Sequence, residues 1–231
     1  MGLSATKVFT TGEGGLFVTN KAKIAEKVME LRNYGLNNSL PHYDCEDLGL
    51  NGKMTELGAV IGLKNLETID QMILRRNEVS ELYKRNLKKI PGIIFQEITA
   101  NSKCTFKDFP ILIDEKFFGL NRDELSIALD KEKVETKKYF YLPIHKMKVY
   151  SNYENKYRGF LPHTEFVSQN ILCLPIYSHM PSEVVEKICF AIERIHQHSQ
   201  EIKKCIKDFF NNNDDMSLNI LEQKSHLVPI Q

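Results

Sequence analysis

No excess of either charge, no C-x-x-C pair and no apolar run of membrane-spanning length occurs in this sequence. Its 31 basic and 30 acidic residues leave a net charge of +1, which supplies neither the basic field that holds nucleic acid nor an acidic tail. The N-terminus lacks a basic segment followed by an apolar signal core, and no apolar stretch reaches the ~18 residues a membrane span needs. We therefore expect a cytoplasmic protein with no membrane and no nucleic-acid partner. The five cysteines, Cys45, Cys104, Cys173, Cys189 and Cys205, are scattered and odd in number. They offer no spacing for a zinc grip or a redox pair, and read as reduced thiols that mostly pack. His42, His163, His179 and His226 form no ligand pattern, and His196 and His198, two apart on a helix, fall on different faces. No internal repeat or long low-complexity tract is present, and no Gly-Lys-Ser/Thr follows the glycines near the N-terminus as a nucleotide P-loop would require.

What is present suits a folded globular chain. With 231 residues, 42% of them hydrophobic, the chain can bury a sizeable core in one large or two small domains. Gly15–Thr19 reads as a short buried strand, followed by an amphipathic helix from Lys21 to Tyr34 with Ile24, Val28 and Leu31 at helical spacing. Residues 36–53, with Asn37, Asn38, Pro41, Gly49 and Gly52, read as loop. A long helical stretch from about Thr55 to Lys89 follows, broken or bent at internal polar positions, and Pro91-Gly92 closes it. Beyond that turn a smaller α/β unit is expected, with strands at Ile93–Phe95, Phe109–Ile113 and Ile171–Tyr177. Asn121 should cap a helix through Leu129, with Glu124 completing a capping-box arrangement. Pro181 suits the first turn of a last helix carrying Val185, Cys189, Ile192 and His196 on one face. The expected divisions are 1–90, 91–210 and a loosely ordered polar tail, 211–231, containing the Asn-Asn-Asn-Asp-Asp run.

The chemistry centres on Lys7. It stands in Ser4-Ala5-Thr6-Lys7, and Thr10-Thr11-Gly12-Glu13-Gly14-Gly15 follows closely. Read alone, a lysine beside threonines is a solvated surface residue. The glycines allow either a phosphate-cradling nest or, the reading we favour, a tight turn into the next segment.

Four further segments accompany this run in order: Leu31-Arg32-Asn33-Tyr34-Gly35, the block from Gly49 to Ala59 (GLNGKMTELGA), Glu135–Phe140 with Pro143-Ile144-His145, and Leu172–Tyr177. Together with the SATK run they resemble the DegT/DnrJ/StrS-type sugar aminotransferases over roughly residues 4–195. The resemblance implies an α/β chain holding part of a PLP-dependent transferase of fold type I: the end of the large domain and the small C-terminal α/β domain. It implies pyridoxal 5'-phosphate (PLP) as cofactor, held by Lys7 as a Schiff base, with Asn51 reaching the phosphate of a partner protomer's cofactor. Lys138, Tyr139 and His145 fall in the family stretch near bound nucleotide-sugar, although a lone histidine in a Pro-Ile-His loop is more commonly a packing or capping residue. The implied reaction moves an amino group, commonly from glutamate, to a keto group of a nucleotide-linked deoxysugar. Lysine at position 7 favours an aminotransferase over the related sugar dehydratases, which carry histidine there.

Departures from the family pattern limit that expectation. Gly2 stands where the family commonly has a serine five residues before the lysine. The carboxylate facing the pyridine nitrogen, the aromatic residue stacked on the ring and the phosphate loop belong to the family's upstream half, which a chain starting at Met1 does not supply. We therefore expect an inactive fragment when alone, working as a homo-oligomer or with a complementing N-terminal-half chain. The alternatives are a non-catalytic interaction subunit and a degenerate gene product. Lys133-Val134, where the family often has Gly-Ile, costs at most a glycine helix cap.

Overall fold

The computed structural model describes residues 1–36, 44–45, 47–157 and 159–211. The expected polar tail from residue 212, and His42 and His226, lie outside the described residues. The chain forms two compact units, Met1–Leu74 and Arg75–Gln231. The division falls inside a helix, ahead of the Pro91-Gly92 turn where the sequence suggests it.

In the first unit the expected N-terminal helix is α1 (Ala22–Leu31). The long helical stretch is two helices, α2 (Glu56–Leu66) and α3 (Ile69–Leu87), with the expected break at Glu67-Thr68. Thr55 caps α2, its hydroxyl accepting from Gly58 N at 3.1 Å. The strand expected at Gly15–Thr19 does not form: one bridge pairs Gly2 with Gly15, and Leu16, Phe17 and Val18 are exposed. A strand exists only as part of a ladder, and beyond that bridge no strand flanks these residues among the described ones.

In the second unit, β1 (Ile93–Phe95), β2 (Phe109–Ile113) and β3 (Ile171–Leu174) form an antiparallel sheet in chain order. Ile93 pairs with Ile113, and Phe109 with Leu174. Along β2, Phe109, Ile111 and Ile113 are buried and alternate with half-buried Pro110 and Leu112, the period-two pattern of a strand with one face on a core. The third strand is shorter than expected and ends before Pro175. Lys137 adds a one-residue bridge to Cys173, with Lys137 N donating to Cys173 O at 3.1 Å and Cys173 N to Lys137 O at 2.7 Å.

The helices of this unit are α4 (Glu115–Phe118), α5 (Arg122–Lys131), α6 (Glu154–Tyr157), α7 (Pro162–Asn170), α8 (Ser182–Gln197) and α9 (Ser199–Asn211), with α5 packed on β3 and α7 on β2. Pro181 is the residue before α8 rather than within its first turn, and Val185, Cys189 and Ile192 face the core. The second half of α3 belongs here because its side chains do. Val79, Tyr83 and Leu87 are buried in the same core as Phe109, Leu125, Leu172 and Ile192. The Tyr83 ring stacks on Phe109 at 4.9 Å, and its hydroxyl donates to Pro175 O at 3.0 Å. Arg76 donates to Ser178 Oγ at 3.0 Å and Phe106 O at 2.9 Å, fixing two loops to the helix.

Cys104, Cys173, Cys189 and Cys205 are free thiols. Burial pushes the Cys173 thiol up to about 11 and the Cys189 thiol up to about 12, so both are protonated packing groups. Cys45 and Cys205 are exposed, so the packing role does not extend to them. Among the described residues no helix is long and apolar enough to cross a membrane.

Candidate functional site

Lys7 lies on the bend of a closed loop. Lys7 N donates to Ser4 O at 2.9 Å, a turn that leaves the side chain exposed. The two limbs of the loop are tied at its base: Leu3 N donates to Gly14 O at 2.9 Å, and Thr11 N to Leu3 O at 3.0 Å. Leu3 is buried. Thr10 Oγ1 donates to Leu3 O and accepts from Gly12 N. Gly12 and Gly14 have φ of +84° and +140°, conformations that glycine adopts without strain. The Gly12 N–H is engaged inside the loop. A Cβ added at Gly2 would sit 3.6 Å from Lys7 Cε, so the lysine stem passes beside this glycine.

The segments Leu31–Gly35 and Gly49–Lys53, distant in sequence, cross each other. Leu50 N donates to Leu31 O at 2.7 Å, Tyr34 N to Leu50 O at 3.0 Å and Gly52 N to Arg32 O at 2.8 Å, and Asn33 pairs with Asn51. The backbones approach so closely that a Cβ at Gly35 would collide with Asp47 O, and one at Gly49 with Gly35 N. Asn51 is held at this crossing by backbone while its residue stays exposed. Among the described residues no direct hydrogen bond joins it to Lys7.

Lys138, Tyr139 and His145 lie in the second unit, and the structure sorts them into two ion-paired groups. Lys138 Nζ is 2.5 Å from Asp123 Oδ1, and the Tyr139 ring, stacked on Phe140 at 4.6 Å, carries Lys107 Nζ at 5.2 Å and Lys137 Nζ at 5.8 Å. His145 is buried, with Nε2 3.3 Å from Glu165 Oε1, while Lys146 Nζ is 2.6 Å from Glu165 Oε2. Lys146, and after it His145, hold the Glu165 carboxyl below the usual carboxylate range.

The residue between these groups that sequence reading missed is Arg122. Only 3% exposed, it donates to Ser168 O at 3.1 Å, and its guanidinium lies 5.1 Å from the Tyr141 ring centroid. Its Nε stands 2.8 Å from Asp123 Oδ1 as an ion pair without hydrogen-bond alignment. Burial opposes ionisation of Asp123, but Lys138 and Arg122 outweigh it and hold the carboxyl below its ordinary value. The available signal was an arginine at the first position of α5, where the positive end of the helix dipole disfavours a cation.

His196 Nδ1 is 2.9 Å from Phe118 O, and His198 pairs with Glu201 at 3.3 Å. These are core-edge and surface roles, and among the described residues no cluster of His, Cys, Asp and Glu could hold a metal ion.

The sequence also matches known proteins. The dTDP-4-amino-4,6-dideoxy-D-glucose transaminase of Shigella dysenteriae is 33% identical over 191 residues, 83% of this chain and 50% of that protein. The enzyme of the same name from Escherichia coli is 35% identical over 176 residues, 76% of this chain and 46% of its own length. Among solved structures, that of DesI in the presence of its TDP-sugar product superposes with a TM-score of 0.78 at 25% identity, covering 89% of this chain and 51% of that one. The chain thus spans about half the length of the curated relatives it matches, and its fold is the corresponding part of a sugar aminotransferase fold. Residues 3–193 match the model of the DegT/DnrJ/EryC1/StrS aminotransferase family, and the chain belongs to that family.

Proposed function

We propose that this chain supplies the cofactor lysine and the small domain of a PLP-dependent aminotransferase acting on a nucleotide-linked keto-deoxysugar, with glutamate or a similar amine as donor. The observation that carries the proposal is the exposed Lys7 side chain on the bend of a loop tied at its base, in a chain of this family. A primary amine on a fixed, open bend fits covalent attachment to an aldehyde such as that of PLP. When bound, the cofactor supplies an electron sink for the carbon that loses or gains the amino group. Lys7 Nζ is the group that moves the proton at that carbon.

Asn51, fixed by the backbone crossing, is the candidate donor to the phosphate of a cofactor in a second protomer. In the second unit Lys138 and Tyr139 are candidates for the nucleotide-sugar, with Tyr139 offering a ring face beside Lys107 and Lys137. His145, buried against Glu165, would act by holding its loop in place. The phosphate and pyridine-nitrogen partners would come from a further segment or chain, so the chain alone is expected to be inactive and the assembly to be an oligomer or a complemented pair in the cytoplasm.

The exposed apolar side chains of α2, Leu57, Val60, Leu63 and Leu66, support a second reading, a non-catalytic docking subunit. Borohydride fixation of PLP in the complemented assembly, followed by peptide mapping, separates the two. The catalytic reading expects label at Lys7 and its loss in Lys7→Ala. Mixing Lys7→Ala with Asn51→Ala should restore partial activity, because one mixed site keeps both residues. Label at another lysine, or no recovery in confirmed mixed dimers, rejects the corresponding assignment.

A further inference from the structure

The loop that carries Lys7 is seated on one face of α2 through three residues at helical spacing. Gly58, Gly62 and Asn65 stand at i, i+4 and i+7, one side of the helix. Asn65 Nδ2 donates to Thr10 O at 2.9 Å. A Cβ at Gly62 would come within 2.9 Å of Thr11 Cγ2, and one at Gly58 within 3.4 Å of Thr11 O. Gly58 and Gly62 are the buried residues of α2, while its leucines are exposed. The helix thus gives its small residues to the loop.

Thr11 has little freedom to yield. It is 5% exposed, and its hydroxyl donates to Glu13 O at 2.7 Å. Turning its methyl away from α2 would turn the hydroxyl away from Glu13 as well, because both are carried on Cβ. A change at Gly62 is therefore transmitted into the Thr10–Gly14 turn that closes the loop base.

We propose that Gly62 and Asn65 are positioning residues: they seat Thr10 and Thr11 on α2 and so set the conformation of the loop that presents Lys7. Its functional meaning rests on the proposed role of Lys7 as the cofactor lysine. Neither residue touches the reacting atoms; both act through the loop.

The test is a compensating pair in the full chain. Gly62→Ala adds the methyl that meets Thr11, and Thr11→Ser removes the methyl that is met while keeping the hydroxyl for Glu13. Asn65→Leu deletes the donor to Thr10. Two readouts are taken: amide hydrogen exchange at Leu3, Thr11 and Gly12, with Ile111 and Leu172 in the sheet as controls, and, in the complemented assembly, the share of borohydride-fixed PLP at Lys7 against the other lysines.

Gly62→Ala and Asn65→Leu should each speed loop exchange by roughly three- to tenfold, the range of one lost hydrogen bond, with the sheet unchanged. They should also lower the Lys7 share. The Gly62→Ala/Thr11→Ser pair should recover both readouts, which a general loss of stability would not allow. If the unaltered complemented assembly fixes PLP at Lys7 and the variants match it in both readouts, or if Thr11→Ser gives no recovery, the seat is overturned while the lysine's role stands. If exchange follows the seat but the unaltered complemented assembly shows no preference for Lys7, the seat stands and the cofactor-lysine reading falls.

Discussion

At the scale of single residues, charge placement in the second unit makes a pH prediction. The Asp123 carboxyl is held below its ordinary value against the cost of burial by Lys138 and Arg122. A depressed folded-state pKa means the unfolded chain takes up the proton first as pH falls. The stabilisation is therefore complete above the unfolded carboxylate value of ~3.9 and is lost as pH falls through the lower folded value. Urea midpoints measured from pH 7 downward should drop across that window, and in Asp123→Asn this part of the fall should be absent. An unchanged profile in the variant would assign the acid sensitivity to other carboxylates. Asp123→Asn also leaves Arg122 short of an anionic partner, so it should be less stable than the unaltered chain at neutral pH.

At the scale of elements, α5 shows what the sequence discloses and what it hides. Its start is legible: Asn121 accepts from Asp123 N and Glu124 N, each at 2.9 Å, and Glu124 accepts from Asn121 N at 2.9 Å, the capping box that Asn-x-x-Glu announces. Its end carries no glycine signal of its own, and only the family resemblance points to a cap at Lys133-Val134. Lys133 N donates to Asp130 O and Val134 N to Leu129 O, the paired bonds of a Schellman turn, with Lys133 at φ +63° where glycine is the usual residue. The left-handed conformation costs a non-glycine residue ~1–2 kcal/mol, and a glycine returns ~0.4–1 kcal/mol of that through unfolded-chain entropy. Lys133→Gly is thus expected to stabilise the chain by roughly 0.5–1 kcal/mol, read as a higher urea midpoint at unchanged slope. A lower midpoint would mean that the Lys133 side chain contributes more than its backbone strain costs.

Similar reasons separate the other hits and misses. The break between α2 and α3 and the three strands of the second unit follow from local pattern and polarity. The α2 seat for the Lys7 loop and the buried Arg122 depend on partners far away in sequence, 55 residues in the case of Asn65 and Thr10 and 46 for Arg122 and Ser168. Local pattern carries no record of such pairings. Gly15–Thr19 reads as a strand because its residues suit one, but suitability does not supply a ladder partner.

At the scale of the whole molecule, the first unit has much apolar surface and little core of its own. Leu16, Phe17 and Val18 are 47%, 60% and 86% exposed, and Leu57, Val60 and Leu63 on α2 are 78%, 63% and 66% exposed, whereas α1 buries no residue. Contiguous apolar patches beyond a few hundred Å² are uncommon on monomers and mark interaction surfaces. Each leucine moved from water into an interface gains about 1.5–3 kcal/mol, so even part of this surface favours association. The purified chain should therefore self-associate with rising concentration and bind an apolar dye. Leu57→Glu/Leu63→Glu should weaken both effects while leaving helix content unchanged, because neither side chain contributes to a core. Sedimentation and dye fluorescence on the two proteins provide the check. A compact, dye-silent monomer at high concentration, or a double variant that associates as strongly as the unaltered chain, would show that α2 is not the surface that seeks a partner.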